Sequence, residues 1–95
     1  MTNYETMYIL RPSVEEEDRN AIVEKFKGIV SNGGEVVSVD EWGSRKLAYE
    51  IEKVKDGYYV LMTFKGDGAI VTELERNYRI SDDVMRFIVI NLDQK

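Results

Sequence analysis

Residues 4–10, YETMYIL, are dense in aromatic and β-favouring side chains and predict a strand. Arg11-Pro12 ends it, because proline cannot continue a ladder. Ser13 is expected to cap a helix, with Glu16 completing a capping box and Glu15 to Asp18 filling a first turn that favours negative charge. Ile22, Phe26, Ile29 and Val30 follow at helical spacing, and Asn32-Gly33-Gly34 closes the helix. Residues 35–42, EVVSVDEW, read as a second strand. Gly43 interrupts it and RKLAYEI resumes the alternation, which predicts one long strand bent or bulged at Gly43-Ser44. Asp56-Gly57 carries the signature of a hairpin turn, followed by the strand YYVLMTFK. Gly66-Asp67-Gly68 breaks that strand. A second helix is expected over 69–79, with Ile70, Val71, Leu74 and Tyr78 on its apolar side. Ser81-Asp82-Asp83 forms a turn before the last strand, VMRFIVINL.

The order β-α-β-β-α-β predicts an α+β chain of the split βαβ, or ferredoxin-like, type. Its usual sheet is four-stranded and antiparallel, in the order 4-1-3-2, with both helices on one face. One domain over residues 1–95 is expected, since so short a chain has no room for two cores. Successive strand residues point to opposite faces. Thr6, Tyr8, Leu10, Tyr58, Val60, Met62, Phe64, Met85, Phe87 and Val89 are assigned to the helix-covered face. Glu5, Met7, Ile9, Tyr59, Leu61, Thr63, Arg86, Ile88 and Ile90 are assigned to the open one. Both parities are apolar in these strands, so the opposite assignment stays open for each, and both faces call for cover. The helices cover one. Met7, Ile9, Tyr59, Leu61, Ile88 and Ile90 therefore form a candidate partner surface.

Composition narrows the chemistry. The chain has neither cysteine nor histidine, which removes thiolate and imidazole catalysis and most zinc sites. No metal-ligand set, cofactor motif or catalytic constellation emerges. Asp82-Asp83 read as turn formers, Glu15 to Asp18 as a solvated first turn, and the glycines as punctuation without a phosphate-loop pattern. Trp42-Gly43 reads as a packed aromatic beside a bulge. The N-terminus lacks signal-peptide character, and the longest apolar run, Phe87 to Ile90, is far too short to span a bilayer. A soluble, cytoplasmic chain is expected.

The net charge of −5 argues against nucleic acid, whose affinity rests on Lys and Arg at phosphates. The cations admit two readings. Arg76 and Arg79 complement the end of the second helix, Arg86 pairs across strands with Glu5, and Arg45-Lys46 is a charged strand edge. Alternatively, these cations and the nearby tyrosines contact RNA, since tyrosine stacks on bases. The aromatic signature of an RRM is missing from YYVLMTF, so base readout across the sheet in that fashion is not expected.

Four segments in this order and spacing carry a resemblance: Tyr4-Glu5, GSRKLAYEI (Gly43 to Ile51), GYYVLMTF (Gly57 to Phe64) and LERNYRISDDVMRFIVI (Leu74 to Ile90). Over essentially its whole length the chain resembles the bacterial small-subunit ribosomal protein six family. The resemblance implies a ferredoxin-like, non-enzymatic structural component of the small ribosomal subunit, cytoplasmic and ribosome-associated. It implies binding to the central domain of 16S ribosomal RNA as a heterodimer with small-subunit ribosomal protein eighteen. By resemblance, Arg45, Lys46, Tyr49, Arg79 and Arg86 match the family's basic and aromatic motif positions and are the candidate RNA-binding residues. The chain differs from some members in ending at Asp93-Gln94-Lys95 without a long acidic tail, and in carrying Phe87 where a polar or basic residue often stands. A basic partner that supplies most phosphate contacts would reconcile an acidic chain with RNA. Two rivals share the fold. One is a small-molecule regulatory module that dimerises through the open sheet, which would need a pocket with converging polar groups. The other is an acylphosphatase-like enzyme, which is disfavoured because RPSVEEED after the first strand would repel phosphate.

Overall fold

The structure, a computed structural model, describes residues 1–51 and 54–93. Gln94-Lys95, part of the terminus noted above, lie outside the described residues. The chain runs β1 (Thr2–Leu10), α1 (Glu16–Ser31), β2 (Glu35–Ile51), β3 (Val54–Gly66), α2 (Gly68–Ile80) and β4 (Val84–Asn91). The strands form one sheet in the order β2-β3-β1-β4 with every neighbouring pair antiparallel, which is the expected topology read from the other edge.

Two local expectations are corrected. Ser13 does not cap α1. The Val14 N–H donates to the Arg11 carbonyl at 3.2 Å, so Pro12-Ser13 occupy a turn, and the helix starts after Glu15, which makes no side-chain cap. Proline's fixed φ suits that second turn position and consumes the residue that would have capped. Asp56-Gly57 is not the hairpin turn. Both lie inside β3, opposite Lys46 and Arg45, and pairing continues to Ile51 and Val54. Gly57 is required for a different reason: a Cβ there would run into Ile9 Cγ2. Gly57→Ala is therefore expected to cost about 1–3 kcal/mol as an overpacking change, measurable by urea denaturation. Met85 is the extra residue of β4 between the pairs Ile9–Arg86 and Leu10–Val84, and Val84 packs on the core there. The expected bulge at Gly43 is present: the register shifts between Glu41 and Gly43, and Gly43 adopts φ +84°.

Between sheet and helices lies the core, centred on Tyr8, Leu10, Phe26, Val30, Val60, Met62, Phe64, Leu74 and Tyr78. Phe26 meets Tyr8 and Tyr78 edge-on, with centroids 5.0 and 4.6 Å away, and Phe87 closes the cluster 4.9 Å from Tyr78. Thr6 is fully buried at a polar point in this layer. Its hydroxyl donates to the Ile88 carbonyl at 2.8 Å and lies 3.1 Å from the Tyr78 hydroxyl. Thr6→Val would leave a buried tyrosine hydroxyl without this partner, at an expected cost of about 1–3 kcal/mol, to be checked by denaturant titration. At the other end of α1, the Arg19 guanidinium sits 4.0 Å over the Tyr58 ring, and the Tyr58 hydroxyl donates to Glu41 at 2.9 Å. This ties the helix to β3 and to the residue just before the β2 bulge. The Asp67 carboxylate caps α2 by accepting from the Ile70 N–H at 3.1 Å.

Burial pushes the hydroxyls of Tyr8 and Tyr78 well above their usual value of 10.0, with Tyr78 adding to the effect on Tyr8. Unfolded tyrosines ionise first, so the stability these groups contribute is intact below about pH 10 and is lost as pH rises beyond it. Each should steepen alkaline unfolding by about 1.4 kcal/mol per pH unit. A pH series of urea melts would show this, and Tyr8→Phe should flatten the alkaline limb.

Candidate functional site

The sheet face away from the helices is laid out in rows by the strand register. One row runs Ile90, Glu5, Thr63, Ser38 from β4 to β2; the next runs Ile88, Met7, Leu61, Asp40; the third runs Arg86, Ile9, Tyr59, Gly43. Alternation puts these residues on one side because Thr6, Tyr8, Val60 and Met62 between them are buried under the helices. All six residues of the candidate partner surface thus share a face. Ile88 and Ile90 are 48% and 44% exposed. Met7, Tyr59 and Leu61 are half-buried, and Ile9 is buried at 7% exposure, because the arm of β2 beyond Gly43 curls over it.

That arm shapes the site. Leu47, Ala48 and Tyr49 line a groove together with Ile9, Tyr59 and Arg86, and a second groove continues from it along Met7, Tyr59, Arg86 and Ile88. The Arg86 guanidinium lies 5.4 Å from the centre of the Tyr49 ring, so residues of the first and last strands of the sheet order meet across the face. Trp42 stacks on Tyr59 at 6.4 Å with an interplanar angle of 11°, and its indole N–H donates to Asp40 at 3.1 Å. Trp42 is 43% exposed and Tyr49 59%. Both leave aromatic surface free for stacking or for an apolar partner.

The candidate RNA residues do not all converge. Arg45, opposite Gly57, shares the open face with Tyr49 and Arg86, and its guanidinium donates to the Ser44 carbonyl at 3.0 Å. Lys46, one residue on, lies opposite Asp56 and points to the other side. Arg79 leaves the last turn of α2 and lies 5.7 Å from the Phe87 ring on the helix side. Arg79 and Arg86 nevertheless flank one cleft at the β4 edge, with Val84, Met85 and Phe87 between them. The expected pairing of Arg86 with Glu5 does not form: Arg86 stands opposite Ile9, and Glu5 opposite Ile90. Arg76 instead meets Glu73 at 3.5 Å on the surface of α2.

Trp42, Leu47 and Ala48 belong to the face and were not among the candidate site residues. The register shifts between Val36 and Ser38 and again between Glu41 and Gly43, so simple alternation from Val36 could not place them. A positive-φ glycine in mid-strand was the available signal. Among the described residues no group of three or more acidic side chains could hold a metal ion.

The family model for ribosomal protein S6 matches residues 3–91. This chain belongs to the ribosomal protein S6 family. The match spans essentially all of the sheet, both helices and the whole open face. Small ribosomal subunit protein bS6 of Thermoanaerobacter pseudethanolicus is 53% identical over 95 residues, covering 99% of this chain and all of that protein. The bS6 of Clostridium novyi is 56% identical over 92 residues, covering 96% and 97%. The crystal structure of 30S ribosomal protein S6 from Thermotoga maritima superposes with a TM-score of 0.89 at 37% identity, over 95% of this chain and 86% of that one.

Proposed function

We propose that this S6-family chain is a structural component of the small ribosomal subunit that joins the central domain of 16S ribosomal RNA as a heterodimer with small-subunit ribosomal protein eighteen. The observation that carries this reading is the open face: exposed Ile88 and Ile90 beside Met7 and Leu61, with Arg86 and Tyr49 in contact at one end. Such a face, apolar at its centre and cationic and aromatic at its rim, suits a protein partner and a neighbouring phosphate backbone together. Arg45, Arg79 and Arg86, with Lys46 and Tyr49, are the RNA contacts in this proposal. Met7, Ile9, Tyr59, Leu61, Ile88 and Ile90 are the partner contacts. With a net charge of −5 the chain alone has little to offer polyphosphate, so the partner supplies most of the ionic affinity.

Filter binding to a central-domain RNA fragment tests the pairing. The isolated chain should bind weakly, and addition of protein eighteen should tighten binding by at least about tenfold, as coupled assembly requires. Equal affinity with and without protein eighteen would overturn the heterodimer reading. Replacing Arg45 and Lys46 together by alanine should weaken RNA binding by the heterodimer several-fold, by about one phosphate contact each, while the thermal midpoint stays nearly unchanged. A large stability loss without a binding effect would instead make the pair a structural strand edge.

A further inference from the structure

Glu5 is an unmatched charge in an apolar setting. It lies on β1, one of the two central strands, half-buried, with Ile90 and Thr63 on either side and Met7 next along its face. Its carboxylate makes no hydrogen bond or ion pair among the described residues. One row along and two strands across on the same face, Asp40 uses one carboxylate oxygen for the Trp42 indole and leaves the other free. At the opposite end of the face stand Arg45 and Arg86. The open face is therefore polar along its length, acidic at the Glu5 end and basic at the Arg86 end.

Any partner that covers Met7, Leu61 and Ile88 must also cover the neighbouring Glu5. A carboxylate removed from water without a counter-charge is costly. An apolar segment alone would meet that cost in full, and a phosphate backbone would add repulsion. We infer that the occupant of this face is a basic protein segment that sets one of its own cations against Glu5 and a second against Asp40. Its orientation is thereby fixed, and the Arg45 and Arg86 end is left for the RNA. The first cation forms a charge-assisted bond to Glu5, the more so if it is a guanidinium that can engage both oxygens. The two carboxylates act as a polarity key: the apolar side chains allow docking in either direction, and the charges admit one. This inference rests on the heterodimer reading above and adds the partner's chemistry and direction to it.

The test measures binding of purified small-subunit protein eighteen to the intact chain by calorimetry. Glu5→Gln keeps the shape and removes the charge; it should weaken binding about 10- to 100-fold at low salt and flatten the salt dependence. Its thermal midpoint should match the wild type, since Glu5 has no internal partner to lose. Two substitutions at the adjacent position separate charge from contact. Ile90→Lys and Ile90→Glu lose the same apolar surface, so the lysine variant should bind at least about tenfold more weakly than the glutamate variant. Wild-type affinity in Glu5→Gln, or equal affinities for the two Ile90 variants, would overturn the polarity inference while the heterodimer reading stood. Absence of any complex between the wild-type chain and protein eighteen would overturn both.

Discussion

Phe26→Ala is expected to be the most damaging single substitution for stability. Phe26 is 1% exposed and sits where α1 meets the sheet, packed edge-on against Tyr8 and Tyr78. Those two rings touch each other and Tyr78 touches Phe87, so one benzyl group supports contacts from β1, α2 and β4. Its removal loses the transfer energy of the ring and leaves a cavity between aromatic walls that cannot collapse, because each wall is held elsewhere. Tyr78 is also fixed by its contact with the Thr6 hydroxyl. The expected loss is about 3–5 kcal/mol, against a total of about 5–15 kcal/mol for a domain of this kind. At about 4–8 °C per kcal/mol for a short chain, the thermal midpoint should fall by tens of degrees. Urea and thermal melts monitored by circular dichroism check this. A loss below about 1 kcal/mol would mean the aromatic cluster rearranges and is not the keystone of the core. Phe26→Leu, which retains most of the apolar volume, should recover more than half of the loss.

The element order and sheet topology were legible because each segment carries its own period. Phe26 and Val30 repeat at helical spacing, while Thr6, Tyr8 and Leu10 repeat at two, and both sets proved buried. The failures share one cause, which is that local signals compete with tertiary demands. Asp56-Gly57 is a strong turn dipeptide, yet Gly57 is there because Ile9 approaches too closely for a side chain. Ser13 is a good cap, yet Pro12 draws it into a turn. Met85 is the extra residue of β4 between the pairs Ile9–Arg86 and Leu10–Val84, an irregularity that no local pattern announces. The face itself was partly legible. Six apolar residues of the right parity were named from alternation, but the residues that shape it, Trp42 and Leu47, lie on either side of a glycine that shifts the register. The charges of the face were misread for the same reason. Arg86 and Glu5 looked like a cross-strand pair, and the register sets them at opposite ends. Register, unlike periodicity, is a long-range property.

Ile88→Glu is expected to abolish partner binding while leaving the fold intact. Ile88 opens the middle of the three rows, on the edge strand β4 beside Met7 and Leu61, and 48% of its surface is open to solvent. Its contribution to the fold runs through its backbone carbonyl, which accepts the Thr6 hydroxyl and is unaffected by the side chain. The thermal midpoint should therefore move by only a few degrees, about the range of an exposed strand substitution. Binding is another matter. A carboxylate introduced into the apolar row beside Met7 and Leu61 must be desolvated against apolar side chains, and well-packed apolar anchors carry most of an interface's energy. The expected cost is at least about 2–4 kcal/mol, or roughly 30- to 1,000-fold in affinity for protein eighteen. The effect should carry through to the RNA, so that the variant gains nothing from protein eighteen in filter binding. The comparison with Arg45→Ala is diagnostic. That variant should still form the heterodimer and lose only part of the RNA affinity, because Arg45 lies on the rim of the face and not at its centre. If Ile88→Glu bound protein eighteen normally, the open sheet face would not be the partner surface, and the apolar row across β4, β1 and β3 would need another occupant.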